Sequence, residues 1–214
     1  MKSLVPTLAT ALLLLLGAQE MLAALQLDPA VMGEGMASGF RHILPEGLDH
    51  MAFLAGLFFL SRSFPALLGQ VTLFTLAHSL TLGLVVLAGL TFEPRWVEVA
   101  VGLSIAALGL EGLPVRRHRF LEHLRWLMVP AFGLVHGLAF AHNLVQESGI
   151  RRSPVSALFG FNLGVELGQL VVVGVLVLAF SPWWHLPWYQ PRVALPALAL
   201  TALSGFAWAV QRAA

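Results

Sequence analysis

The stretch GFRHILPEGLDHMAFLAGLFFLS, residues 39–61, decides how the rest of the chain is read. From His42 to Leu60 it is predominantly apolar, and it stops at SRSFP, Ser61 to Pro65. That is close to the ~20 residues a helix needs to cross hydrocarbon. Outward from it, similar runs follow at Leu67 to Leu90, Trp96 to Leu113, Trp126 to Val145, Val155 to Phe180 and Val193 to Val210. They are separated by EPR, by the basic loop Arg116 to Arg119, by ESGIRRSP and by SPWWHLPWYQPR. All are rich in Leu, Val, Ala and Gly and lack period-2 alternation, and lipid permits only helices or closed barrels. The expected fold is therefore all-α, a polytopic transmembrane bundle of six helices plus an N-terminal signal helix.

Composition agrees. Of 214 residues, 58% are hydrophobic and 11% charged, against about 25% charged in soluble domains, which excludes a water-soluble globule. Twelve Lys and Arg against eleven Asp and Glu give a net charge of +1, so no single-sign field invites nucleic acid. The partner is the lipid bilayer. Cysteine is absent, which removes disulfides and thiolate ligands and leaves His, carboxylate and amide oxygen to hold any metal.

Residues 1–24 read as a signal peptide or signal anchor, with Lys2, an apolar run from Leu4 to Ala18 and small residues at Ala23 and Ala24. That leaves 25–214 as a single transmembrane domain, expected in a bacterial inner membrane. The positive-inside bias puts Arg116, Arg117 and Arg119 in the cytoplasm and the acidic stretch Asp28 to Glu46 outside, with Arg151 and Arg152 as exceptions. Trp183, Trp184, Trp188 and Tyr189 suit an interfacial belt.

Intramembrane ionisable groups are functional candidates by default, because a charge at the bilayer centre costs roughly 2.5–3.5 kcal/mol on insertion scales. His42, Asp49 and His50 fall at i, i+7 and i+8, one helix face. Alternatively, Pro45 and Gly47 break that helix and leave His42 on a re-entrant segment. His78 lies eleven residues into its run and His136 ten into its own, both near the midplane at ~1.5 Å per residue. Asn162, Glu166 and Gln169 form one polar stripe, while Glu98 and Glu111 lie at opposite ends of one helix. Asn143, Asn162 and Gln169 also suit hydrogen bonds between helices, and Gly133, Gly137, Gly160, Gly164 and Gly168 suit close packing. With no Lys or Arg evident inside the membrane, the carboxylates call for a cation. Imidazole and carboxylate suit zinc, nickel, cobalt or iron(II), and Asp49 can either bind the ion or orient His50.

The segments GFRHILPEGLDHMAFLAGLFFLS, TLFTLAHSLTLGL, WVEVAVGLSIAALGLEG, FGLVHGLAFA and FGFNLGVELGQL together resemble the HupE/UreJ family of hydrogenase and urease accessory membrane proteins, in particular its second branch. The resemblance spans about Gly39 to Val175. Nickel-permease members have a His, five residues, then Asp-His; here six residues separate His42 from Asp49-His50. A later helix with two His-Gly pairs and a Glu is matched by His136-Gly137 alone, since His142 precedes Asn143. The resemblance implies metal handling by His42, Asp49, His50 and His136, with His78, Glu98 and Glu166 as features of the second branch.

Three functions fit these residues. The first is a transporter or facilitator for a divalent transition metal (nickel, or zinc, cobalt, iron or manganese) using His42, Asp49, His50, His78, His136 and Glu166, with support from Glu98, Asn162, Gln169 and Glu111. The second is an intramembrane zinc hydrolase in which Asp49, Glu166 and Ser79 serve a His-bound water. The third is a structural accessory subunit. The resemblance favours transport over an enzyme. A homo-oligomer and metalloenzyme-maturation partners stay open. Because the chain has no native cysteine, a His118→Cys variant tests the topology: an impermeant maleimide should label it only after permeabilisation, and labelling of intact cells inverts the assignment.

Overall fold

The computed structural model describes residues 27–61, 63–90, 94–113, 119–144 and 148–214. The signal segment and Arg116, Arg117 and His118 lie outside the described residues. The elements are α1 Pro29–Ile43, α2 Leu48–Leu60, α3 Phe64–Ala88, α4 Pro94–Glu111, α5 Arg119–Leu144, the short α6 Ser148–Arg152, α7 Pro154–Phe180 and α8 Leu195–Ala213. A 3-10 turn at Ser181–Trp183 and a π-helical turn at Gln190–Ala194 link the last two long helices, and there is no strand among the described residues.

The first span differs from the expected one. Helix starts at Pro29, inside the acidic stretch expected on the outer side, because Asp28 caps it: its Oδ1 accepts from the backbone N of Ala30 at 2.9 Å and of Val31 at 3.2 Å. It stops at Ile43 and restarts at Leu48, bent by 66°. Pro45 has no N–H to continue the ladder, and a Cβ on Gly47 would overlap the His42 carbonyl. His42 and His50 therefore do not share a continuous helix.

Among the described residues, four helices are long and apolar enough to cross a membrane, Phe64–Ala88, Leu124–Ala141, Pro154–Trp183 and Gln190–Ala213, and the bent pair α1–α2 makes a fifth if it is one span. α4, expected as another span, is outside this number because its eighteen residues include Arg95, Glu98 and Glu111. On α3, Leu76, Leu80, Leu84 and Leu87 are exposed along one face, the surface a lipid solvent covers.

Apolar surface gains nothing by leaving lipid, so these helices associate through close packing. The glycines supply it. Cβ atoms on Gly160 and Gly164 would strike the backbone of Met32 and Met36, and one on Gly168 would strike Ile43, so α1 and α7 run parallel in contact. Gly133 and Gly137 lie against the backbone of Phe74 and His78, joining α5 to α3 the same way. Gly102 and Gly109 meet Ala209 and Ala202, an antiparallel α4–α8 crossing. α2 touches α3, α4, α7 and α8, and its Phe53, Leu54, Leu57 and Phe58 are at most 1% exposed. A second apolar cluster of Val31, Ile43, Leu82, Val85, Phe161 and Val165 packs α1 against α3 and α7.

Gly164→Ala is expected to destabilise the protein by about 1–3 kcal/mol through overpacking. Gly174→Ala, where an added Cβ meets nothing within 4 Å, should be neutral or stabilising by up to about 1 kcal/mol. Thermal unfolding in detergent compares the two.

Candidate metal centre

The break between α1 and α2 leaves His42 in the last turn of one helix and His50 in the first turn of the next. Their rings meet edge-on, centroids 4.6 Å apart. His78 of α3 lies 6.0 Å from His42 and 5.7 Å from His50, and His136 of α5 lies 4.9 Å from His50. One ring nitrogen from each of His42, His50 and His78 falls within 4.8 Å of the others. All four side chains are buried, at 9%, 3%, 0% and 1% exposure in sequence order. Phe74 and Phe140 border the cluster, Phe140 at 3.8 Å from His42 between centroids.

Hydrogen bonds fix where the lone pairs point. Asp49 Oδ1 lies 3.2 Å from His50 Nδ1, and a carboxylate only accepts, so Nδ1 carries the proton and Nε2 the lone pair. Ser104 donates its single hydroxyl proton to the Val101 carbonyl at 2.7 Å. At 3.2 Å from His136 Nε2 its oxygen can therefore only accept, which leaves the lone pair on His136 Nδ1. His42 Nε2, His50 Nε2, both nitrogens of His78 and His136 Nδ1 are buried without a hydrogen-bond partner. An unsatisfied buried polar group costs about 1–3 kcal/mol, so a cluster of them is strained unless something binds it. Beside it opens a cavity of about 290 Å³ lined by His42, Glu46, Asp49, His50, Glu98, His136, Phe140 and Arg212. The donor set, buried imidazoles with unpartnered nitrogens, fits a first-row transition metal.

Other sequence candidates fall elsewhere. Glu98 is exposed and lines the cavity. Asn162 accepts from Ser79 Oγ at 2.7 Å, and Gln169 accepts from Thr75 Oγ1 at 2.6 Å, so both tie α7 to α3. Glu166, on the same helix, is half-buried and does not line the cavity. The side chains of His142 and Asn143 lie outside the described residues.

The expectation that no arginine neutralises the carboxylates is overturned. Glu111 is engaged by Arg125, whose Nε donates to its Oε1 at 2.9 Å and Oε2 at 3.2 Å. Both are buried, at 9% and 8% exposure. Arg212 Nη2 lies 3.3 Å from Asp49 Oδ2. Sequence reading missed them for different reasons: Arg125 adjoins the basic loop, and 163 positions separate Arg212 from Asp49. Ser104 was missed too, since one serine in an apolar helix carries no signal. Arg152, an exception to the charge rule, lies 3.8 Å from Asp28 and 3.6 Å from Glu34.

These features define a class: a helical integral membrane protein with a buried polyhistidine centre beside an open cavity. The family model described as HupE / UreJ protein matches residues 18–212, and the chain belongs to that family. The family is linked to metal handling. No curated protein and no solved structure matches the chain.

Removing one partner of a buried ion pair strands the other, at about 3–5 kcal/mol. Glu111→Gln should therefore destabilise the protein by that order in chemical unfolding, whereas Glu98→Gln, at an exposed position, should stay within about 0.5 kcal/mol. Equal effects would remove the Arg125 pairing.

Proposed function

We propose that the protein carries a divalent first-row transition metal across the membrane, with the ion as cargo. The observation that carries this reading is the set of buried, unpartnered imidazole nitrogens on four chain segments, reached from an open cavity. A hydrated ion is attracted by Glu46 and Glu98 at the cavity wall. It exchanges water for His42 and His50, then engages His78 behind them, with His136 alongside. Asp49 serves through His50, as the orienting carboxylate of a carboxylate–histidine–metal arrangement. Release to the other side requires the Glu111–Arg125 pair to part. Nickel is the family's suggestion; zinc, cobalt, iron and manganese suit the same donors. Residues 1–24 fit a signal or anchor segment and the bacterial inner membrane a location.

Hydrolysis is less well supported. Ser79 already engages Asn162, Glu166 is away from the cavity, and Asp49 is held by His50 and Arg212, so the base that a His-bound water needs is missing from the candidates.

Metal analysis with proteoliposome uptake tests the proposal. His50→Ala and His136→Ala should each lower metal retention in the purified protein. Retention should fall on acidification, because a protonated ring has no lone pair to give. If the parent holds metal yet uptake of Ni, Co, Zn, Mn and Fe(II) all stays at background, the transport reading fails.

A further inference from the structure

We infer that Arg212 is a positioning residue for the histidine centre: it anchors the Asp49 carboxylate that orients His50, forming a relay of guanidinium, carboxylate and imidazole. Its consequence for metal rests on the function proposed above; its geometry does not. Asp49 Oδ1 accepts from the His50 backbone N at 2.9 Å and faces His50 Nδ1 at 3.2 Å. Oδ2 faces Arg212 Nη2 at 3.3 Å. The same guanidinium donates from Nη1 to the Glu98 carbonyl at 3.2 Å, so Arg212 is itself fixed by α4. The carboxylate cannot turn without losing a partner on one side.

That constraint reaches the cluster. With Asp49 held, Nδ1 is the protonated nitrogen of His50, and the buried Nε2 presents its lone pair. His50 belongs with His42 and His78 to the group of donors within 4.8 Å of one another, and Asp49 does not. Arg212 therefore acts through the orienting group and does not compete with an ion for a ligand. A planar guanidinium reaches two acceptors on different helices at once, which an ammonium does not reproduce. An ordinary surface pair would do little; this one couples α8 and α4 to the first turn of α2.

The test uses the full chain in detergent as parent, R212Q, R212K, D49N and D49N/R212Q. Without metal, nitrogen-15 spectra of the His50 ring should show the Nδ1–H tautomer in the parent and a mixture of both tautomers in R212Q. Cobalt(II) titration, read by its visible absorption, should weaken about 10–100-fold in R212Q. R212K, which keeps the charge but reaches one acceptor, should fall between them, and it carries the test if R212Q does not fold. On a D49N background R212Q should add nothing further. An unchanged tautomer with unchanged cobalt affinity in R212Q overturns the relay, as do losses in R212Q and D49N that simply add. A parent that binds no cobalt while R212Q still shifts the tautomer removes the metal reading and leaves the relay standing.

Discussion

The interruption between Ile43 and Leu48 is the constraint on which the centre depends. In one continuous helix His42 and His50 would be eight residues apart, about 12 Å along the axis. Bending the chain by 66° brings their ring centroids to 4.6 Å. The break also frees backbone polar groups at depth, and these are tolerated in a membrane only where protein or a water-filled cavity surrounds them. Here the segment lies at the cavity wall, with Glu46 and Gly47 among the lining residues. The cavity and the bend thus follow from one another.

Close helix crossings then set the depth of the other two donors. His136 precedes Gly137, whose missing side chain lets α5 approach the His78 carbonyl of α3. Two parallel helices touching at that point hold their histidines in one layer. α1 is fixed independently on α7 by Gly160, Gly164 and Gly168, which sets where its last turn, and His42, can lie. Packing by small residues is therefore what turns histidines from four helices into one site. The aromatic rings around them, Phe74 and Phe140 among others, keep hydrogen-bonding groups out and leave the nitrogens free.

The bundle was legible because hydropathy reports length and lipid exposure directly, and the glycines named as packing surfaces lie at helix crossings. His42, Asp49, His50, His78 and His136 could be picked out because ionisable groups at depth are rare. What the sequence hid were relations across the fold. Glu166 has the same apparent depth as His78 when read along its helix, but rotation about that axis, fixed by the glycine face against α1, turns it away from the cavity. α1 is not legible as part of the first span, because a helix packed along one face and carrying Glu34 and Arg41 has too few apolar residues to register as one. Arg212 could not be joined to Asp49 without the α4–α8 crossing that brings the end of α8 to the first turn of α2.

Charge is distributed along α4 in a way that bears on the proposed transport, on release as much as on capture. Arg212 bonds the Glu98 carbonyl at one end of α4, and Arg125 pairs with Glu111 at the other, about 20 Å along the helix at 1.5 Å per residue. Between these levels the donors are imidazoles. On the proposed transport reading, a cation moving inward would leave the acidic wall of the cavity for imidazole ligands, while the one carboxylate nearest them is balanced by a guanidinium. Sites built from several carboxylates would hold a divalent ion more strongly and let it go slowly. On that reading passage requires binding favourable enough to admit the ion and weak enough to free it, and an imidazole cluster with its carboxylate paired to a guanidinium suits both conditions.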